Sequence, residues 1–255
     1  MKLFYREYGE GQPFIILHGL MGSSDNWLPQ AKMLSDQYHV FVVDQRNHGQ
    51  SPHSEEFNYK LLSEDILEFI LEMDLEKPIV LGHSMGGKAA MNFALAHPDK
   101  LKTLIVVDIA PKGYEIRHDH IVEGLKAIPI ESIQSRNEAD DALAPFVPEI
   151  GVRQFLLKNL TRKPEGGFEW KLNLRVIDSN LERIGGGLIY SGKFEKNTLF
   201  IRGTKSSYIL EEDKATIREI FPKATIVELD AGHWVQAEMP TEFVTVVKNF
   251  LNTLS

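Results

Sequence analysis

The twelve residues Ile79-Val80-Leu81-Gly82-His83-Ser84-Met85-Gly86-Gly87-Lys88-Ala89-Ala90 constrain this chain more than any other stretch. An apolar run enters a Gly-x-Ser-x-Gly turn and leaves it as an Ala-rich segment stopped by Pro98, which predicts a buried strand, a sharp turn and a helix over 84–97. So tight a turn presses neighbouring backbone against positions 82 and 86, where a Cβ would clash, and glycine stands at both. The turn lifts the Ser84 hydroxyl above the sheet edge, at a helix N-terminus whose partial positive charge and free N–H groups suit an oxyanion. Ser84 is the candidate nucleophile.

Four other apolar runs repeat the pattern of a strand ending in a polar turn. Pro13–Leu17 leads into His18-Gly19-Leu20-Met21-Gly22, Val40–Val43 into Asp44-Gln45-Arg46-Asn47-His48-Gly49, Thr103–Val107 into Asp108, and Thr198–Ile201 into Arg202-Gly203. Near-continuous Val/Ile/Leu runs separated by helical stretches signal a parallel sheet covered on both faces, with right-handed crossovers gathering the polar ends on one edge. Leu3–Tyr8 reads as an edge strand, Thr225–Leu229 as the last strand, and 241–251 as the closing helix. From Ala110 to about Tyr190 there are helical patterns but no buried strand. The expected architecture is α/β: a core over 1–109 and 191–255 with a helical cap inserted at 110–190, lying over the functional edge.

With 255 residues and 43% hydrophobic content, the chain can bury one sizeable core. A net charge of -8 with no basic run argues against a nucleic-acid or anionic-membrane surface, and the insertion is close to neutral, leaving most of the negative charge to the core. There is no cysteine, which excludes disulfides, thiolate metal sites and a cysteine nucleophile. No secretory leader and no apolar run of membrane-spanning length stand in the sequence, so a cytoplasmic location is the expectation. Oligomeric state, monomer or dimer, stays open.

A serine hydroxyl needs a base to take its proton, and that base needs a group that fixes its tautomer. Of the nine histidines, His233 in Ala231-Gly232-His233-Trp234 follows the last strand and is the candidate base. His118 and His120, a His-x-His pair, read as polar helix surface rather than ligands, and His83 reads as packing beside the pocket. Three residues beyond Gly203, where an acid often stands in sheets of this design, the chain has Ser206. Asp108, at the tip of the strand after the nucleophile helix, can supply the carboxylate instead, with Asp213 the alternative and Asp230 more suited to shaping its turn. The backbone N–H groups of Leu20 and Met85 are the expected oxyanion donors. His83, Trp234, Phe155 and Trp170 are the candidate substrate-binding residues, with Ile121, Leu125, Phe146 and Leu156 as further apolar wall. Arg46 is expected to pair with Asp44 and brace the loops.

Together, His18-Gly19-Leu20-Met21-Gly22-Ser23-Ser24-Asp25-Asn26-Trp27, Asp44–Gly49, Gly82–Lys88 and Ala231–Trp234 resemble the α/β-hydrolase superfamily, and within it the YbfF-type esterases and their mitochondrial relatives. The resemblance implies hydrolysis of carboxylic esters or acyl thioesters of small to medium acyl groups by a Ser-His-Asp triad, with no metal or cofactor. It also implies an acid at the position of Asp108 or within the cap just after Leu174. Arg175 occupies that second position, which favours Asp108. A C–C hydrolase, a cofactor-free perhydrolase and a non-catalytic binding member of the fold remain as alternatives. Dehalogenase and epoxide-hydrolase chemistries need a carboxylate where Ser84 stands.

Overall fold

The computed structural model describes residues 1–115 and 119–254. In chain order the strands of the main sheet begin with β1 (Tyr5–Tyr8), β2 (Gln12–Leu17), β3 (Tyr38–Val43), β4 (Ile79–His83) and β5 (Thr103–Val107). The helices among them are α1 (Leu28–Leu34), α2 (Tyr59–Glu72) and α3 (Met85–Ala96). A long segment then carries α4 (Asp119–Ala127), α5 (Arg136–Leu143), α6 (Ile150–Leu157), the hairpin strands β6 (Leu160–Arg162) and β7 (Phe168–Trp170), α7 (Leu174–Ser179) and α8 (Leu181–Gly185). The sheet resumes with β8 (Thr198–Gly203), α9 (Asp213–Ile220), β9 (Ala224–Leu229), α10 (Val235–Glu238) and α11 (Pro240–Asn252).

The seven strands are ordered β1-β3-β2-β4-β5-β8-β9, and every neighbouring pair is parallel except the β1 edge. Period-two alternation splits the apolar runs between two cores. Ile15, Val80, Leu104 and Val106 face one side, packing against Leu62 and Ile66 of α2 and Ala89 and Phe93 of α3. Ile16, Leu81, Ile105 and Val107 face the other, against Ala31 and Leu34 of α1 and Phe243 and Val247 of α11. Both faces of the central strands are therefore buried, which is why they read as continuous apolar runs rather than alternating ones. No described helix is long and apolar enough to cross a membrane.

The segment between β5 and β8 is helical as the sequence predicts, but it also contains the β6–β7 hairpin, which the sequence reading lacks. Each hairpin strand has only three residues, and the turn between them contains Gly166 and Gly167, both in the left-handed region. The segment is tethered over the strand ends by hydrogen bonds from Asn159 Nδ2 to Met21 O (2.7 Å), Tyr59 Oη to Ile184 O (2.7 Å) and Asn173 N to Asn47 O (3.0 Å).

The loops at the strand ends are braced by buried polar contacts. Arg46 does not pair with Asp44; its Nε and Nη2 hold Asp65 of α2 at 2.5 and 2.7 Å. Asp44 accepts instead from the backbone N–H of Ser24 (2.6 Å) and Gln50 (2.8 Å), tying two loops together. The bracing role stands, through different partners.

Candidate active site

The turn after β4 is as tight as its glycines require: a Cβ on Gly82 would lie 2.1 Å from Gly86 O, and one on Gly86 would lie 2.5 Å from Leu17 O. Ser84 sits between them with φ 53° and ψ -118°, a strained backbone region for a residue with a side chain. Asp108 is also left-handed, at φ 48°. Because β4 and β5 are paired up to His83 and Val107, these two residues leave the sheet side by side, and Ser84 N donates to Val107 O (3.1 Å).

Asp108 is fully buried, and three donors converge on its carboxylate. Gly203 N donates to Oδ1 at 3.0 Å, while the Ser206 hydroxyl and His233 Nδ1 both donate to Oδ2, the latter at 2.8 Å. A carboxylate only accepts, so this bond places the imidazole proton on Nδ1 and leaves Nε2 free as a base. The Tyr208 ring stacks on His233 with centroids 3.9 Å apart. His83, fully buried behind it, donates from Nε2 to the His233 carbonyl (2.9 Å). Burial and the adjacent His233 ring hold the His83 pKa well below that of a free imidazole, so this donor stays neutral.

Ser84 and His233 share a cavity of about 180 Å³ whose apolar wall includes Phe155 and Trp234, their rings 5.8 Å apart. Ile121 and Leu156 line it as well. A second cavity of about 310 Å³ reaches Ser84 from the other side, past Leu20 and Met85 to Lys88 and Tyr114. A third, of about 510 Å³, adjoins the first through His83, Phe155 and Trp234.

The expected oxyanion donors border this junction. Met85 is the first residue of α3, where a helix leaves its N–H without an intrahelical acceptor. Leu20 N–H likewise donates to no acceptor among the described residues, and its loop is held from below. Met21 N donates to His48 Nε2 (3.1 Å) and Gln45 N to His18 Nε2 (3.0 Å). Each histidine must be neutral to accept, and burial lowers His18 to about 4 and His48 to about 3.

The structure thus brings together Ser84, His233, Asp108, Leu20, Met85, Phe155 and Trp234. His83 lines the same space, with its Nε2 donating to the His233 carbonyl. Trp170, on β7, is not among the residues lining the three cavities, and Leu125 and Phe146 pack into the main core cluster. Asp213, the alternative acid, is taken by Lys112 (2.7 Å) and by the backbone N–H of Leu210 (2.8 Å), and Asp230 pairs with Lys205. His120 is exposed, and His118 lies outside the described residues. Sequence reasoning missed Tyr208 as a stacking partner and Ser206 as a donor. The signal for Ser206 was its place three residues after Gly203, where its hydroxyl donates to Asp108.

The profile of the alpha/beta hydrolase fold matches residues 12–132. Esterase YbfF of Escherichia coli is 34% identical over 242 residues, covering 94% of this chain and 93% of that protein. The sn-1-specific diacylglycerol lipase ABHD11 of Mus musculus is 38% identical over 247 residues, covering 93% of this chain and 80% of that protein. A solved structure described as a marine microorganism esterase superposes with a TM-score of 0.95 at 42% identity, covering 98% of this chain and 99% of that one. The chain belongs to the α/β-hydrolase family, among its esterase- and lipase-type members.

Proposed function

We propose that this enzyme hydrolyses carboxylic esters and acyl thioesters of small to medium acyl groups through Ser84, His233 and Asp108. The observation that carries the reading is the His233 Nδ1 to Asp108 Oδ2 bond of 2.8 Å, with Ser84 and His233 on the wall of one cavity. His233 Nε2 takes the Ser84 proton as the hydroxyl oxygen attacks the acyl carbon. Leu20 and Met85 N–H groups hold the developing oxyanion, each contributing on the order of 10²-fold to 10³-fold in rate. The same imidazole hands its proton to the leaving oxygen, then activates the water that frees the acyl group. Asp108, held by Gly203 N–H and the Ser206 hydroxyl, keeps the ring in its working tautomer and stabilises the imidazolium. No step requires a metal or a cofactor.

Several relatives are named sn-1-specific diacylglycerol lipases, so glyceride esters belong beside simple esters in the assay. The test is a panel of p-nitrophenyl esters, glyceride esters and acyl thioesters of graded chain length, read as kcat/KM, with labelling by a fluorophosphonate probe. Ester turnover and labelling in the wild type, both lost in Ser84→Ala, support the reading. A wild-type protein that neither labels nor turns over any ester defeats it.

A further inference from the structure

Lys88 lies one helical turn after Ser84, on the same face of α3, and only 2% of its surface is exposed. Buried charges are ordinarily paired with an opposite charge. Among the described residues, no carboxylate forms an ion pair with this ammonium. Two of its three N–H donors go to the carbonyls of Gly185 (2.9 Å) and Gly186 at the end of α8. The ammonium also sits 4.7 Å from the Tyr114 ring centroid. Neither phenol beside it offers a free proton, since Tyr59 Oη donates to Ile184 O and Tyr114 Oη to Tyr208 O. Burial alone lowers Lys88 to about 8, as befits a cation short of a counter-charge. Glu115, exposed, lines the same cavity but does not contribute to that shift.

The two cavities that meet at Ser84 differ in what a substrate would find there. His233 delivers its proton to the leaving oxygen, so the leaving group must occupy the cavity that contains His233, the apolar one walled by Phe155 and Trp234. The acyl chain then extends the other way, past Leu20 and Met85 towards Lys88. Four residues of helix put Lys88 about 6 Å along the axis from Ser84, a reach that suits an anionic group two or three methylenes beyond the reacting carbonyl.

Resting on the serine-hydrolase reading above, we infer that the Lys88 cavity receives the acyl half of the substrate and that Lys88 binds a carboxylate at its far end. The preferred substrates are then half-esters or half-thioesters of short dicarboxylic acids. Water adds across the acyl–oxygen or acyl–sulfur bond, releasing the alcohol or thiol and the free diacid. A charge-assisted hydrogen bond in a buried site supports discrimination of about tenfold to a hundredfold over a neutral chain.

The test compares kcat/KM for benzyl hydrogen succinate and benzyl hydrogen glutarate with that for benzyl pentanoate and benzyl hexanoate, reading benzyl alcohol release. The wild type is expected to favour the acid esters at least tenfold, Lys88→Arg to retain a preference, and Lys88→Met to bring the ratio to about one, whatever its absolute rate. Using the ratio separates this role from the packing role of Lys88 against α8, which would change all four esters together. A wild-type ratio at or below one overturns the inference even if neither variant folds, and so does a ratio that survives in Lys88→Met. Turnover of the neutral esters with no acid preference defeats this inference alone. Failure of all four esters together with absent fluorophosphonate labelling defeats the serine-hydrolase reading beneath it.

Discussion

At the sheet edge the groups around Ser84 are fixed by main chain: the crowding of Gly82 and Gly86, the left-handed backbone of Ser84 and Asp108, and strand pairing that sets one beside the other. The segment above it, from α4 to α8, is held over the same junction by scattered polar tethers and by side-chain packing such as Phe155 against Trp234. A main-chain constraint is shared by every residue of a paired strand, whereas a tether depends on one side chain. The edge therefore suits groups that must be held to within a fraction of an ångström, and the covering segment suits walls that decide which substrate fits.

The contrast is sharpest in the proposed triad. Ser84→Ala, His233→Ala and Asp108→Asn are each expected to lower kcat by about 10⁴-fold. Thermal unfolding should shift little for Ser84→Ala, because the backbone positions that side chain without depending on it, whereas His233→Ala and Asp108→Asn also disturb the buried His233–Asp108 bond. A Ser84→Ala enzyme retaining a tenth of its activity would break the assignment. Next in size is Asp65→Ala, which leaves Arg46 buried without its partner under the loops of the site. Breaking such a pair costs about 3 to 5 kcal/mol, readable as a lower urea midpoint with an unchanged slope.

The supports of the Leu20 loop give a pH dependence. His18 and His48 titrate near 6.5 when unfolded but are lowered by burial to about 4 and about 3 when folded. The unfolded chain therefore binds more protons below pH 6.5, so the stability these two contribute is complete above that value and is lost as pH falls towards 4 and 3. His18 accounts for about 3 kcal/mol and His48 for about 5 kcal/mol across their windows. Denaturation midpoints measured from pH 7 down to 4 should fall steadily, and a flat profile would contradict the neutral-acceptor roles. The smallest effect belongs to the covering segment. Asn159→Ala removes the donor to Met21 O, at a cost of about 1 to 2 kcal/mol, and should raise KM several-fold while changing kcat less.

The uneven legibility of the sequence follows the same division. The central strands could be read because they are buried on both faces, and the placement of Ser84, Asp108 and His233 at one sheet edge because each stands just beyond a strand. Ser206 was conspicuous only as a missing acid. That it donates to Asp108 follows from β8 lying beside β5, a pairing between residues nearly a hundred positions apart. Arg46 was visible as a brace, but its partner Asp65 lies on α2, and no local pattern marks that contact. The β6–β7 hairpin escaped because its strands are only three residues long and half polar, which no period-two window detects. Where Trp170 points was not legible for the same reason: the face an aromatic presents depends on a register that the hairpin alone fixes.

The most direct measurement is a trapped acyl-enzyme. A millisecond acid quench of the protein with excess p-nitrophenyl acetate, followed by peptide mapping in a mass spectrometer, should find one acetyl group on the peptide containing Ser84. That adduct should be absent in Ser84→Ala and strongly diminished in His233→Ala. Rapid ester turnover with the acetyl group on another residue, or with Ser84→Ala fully active, would contradict the account.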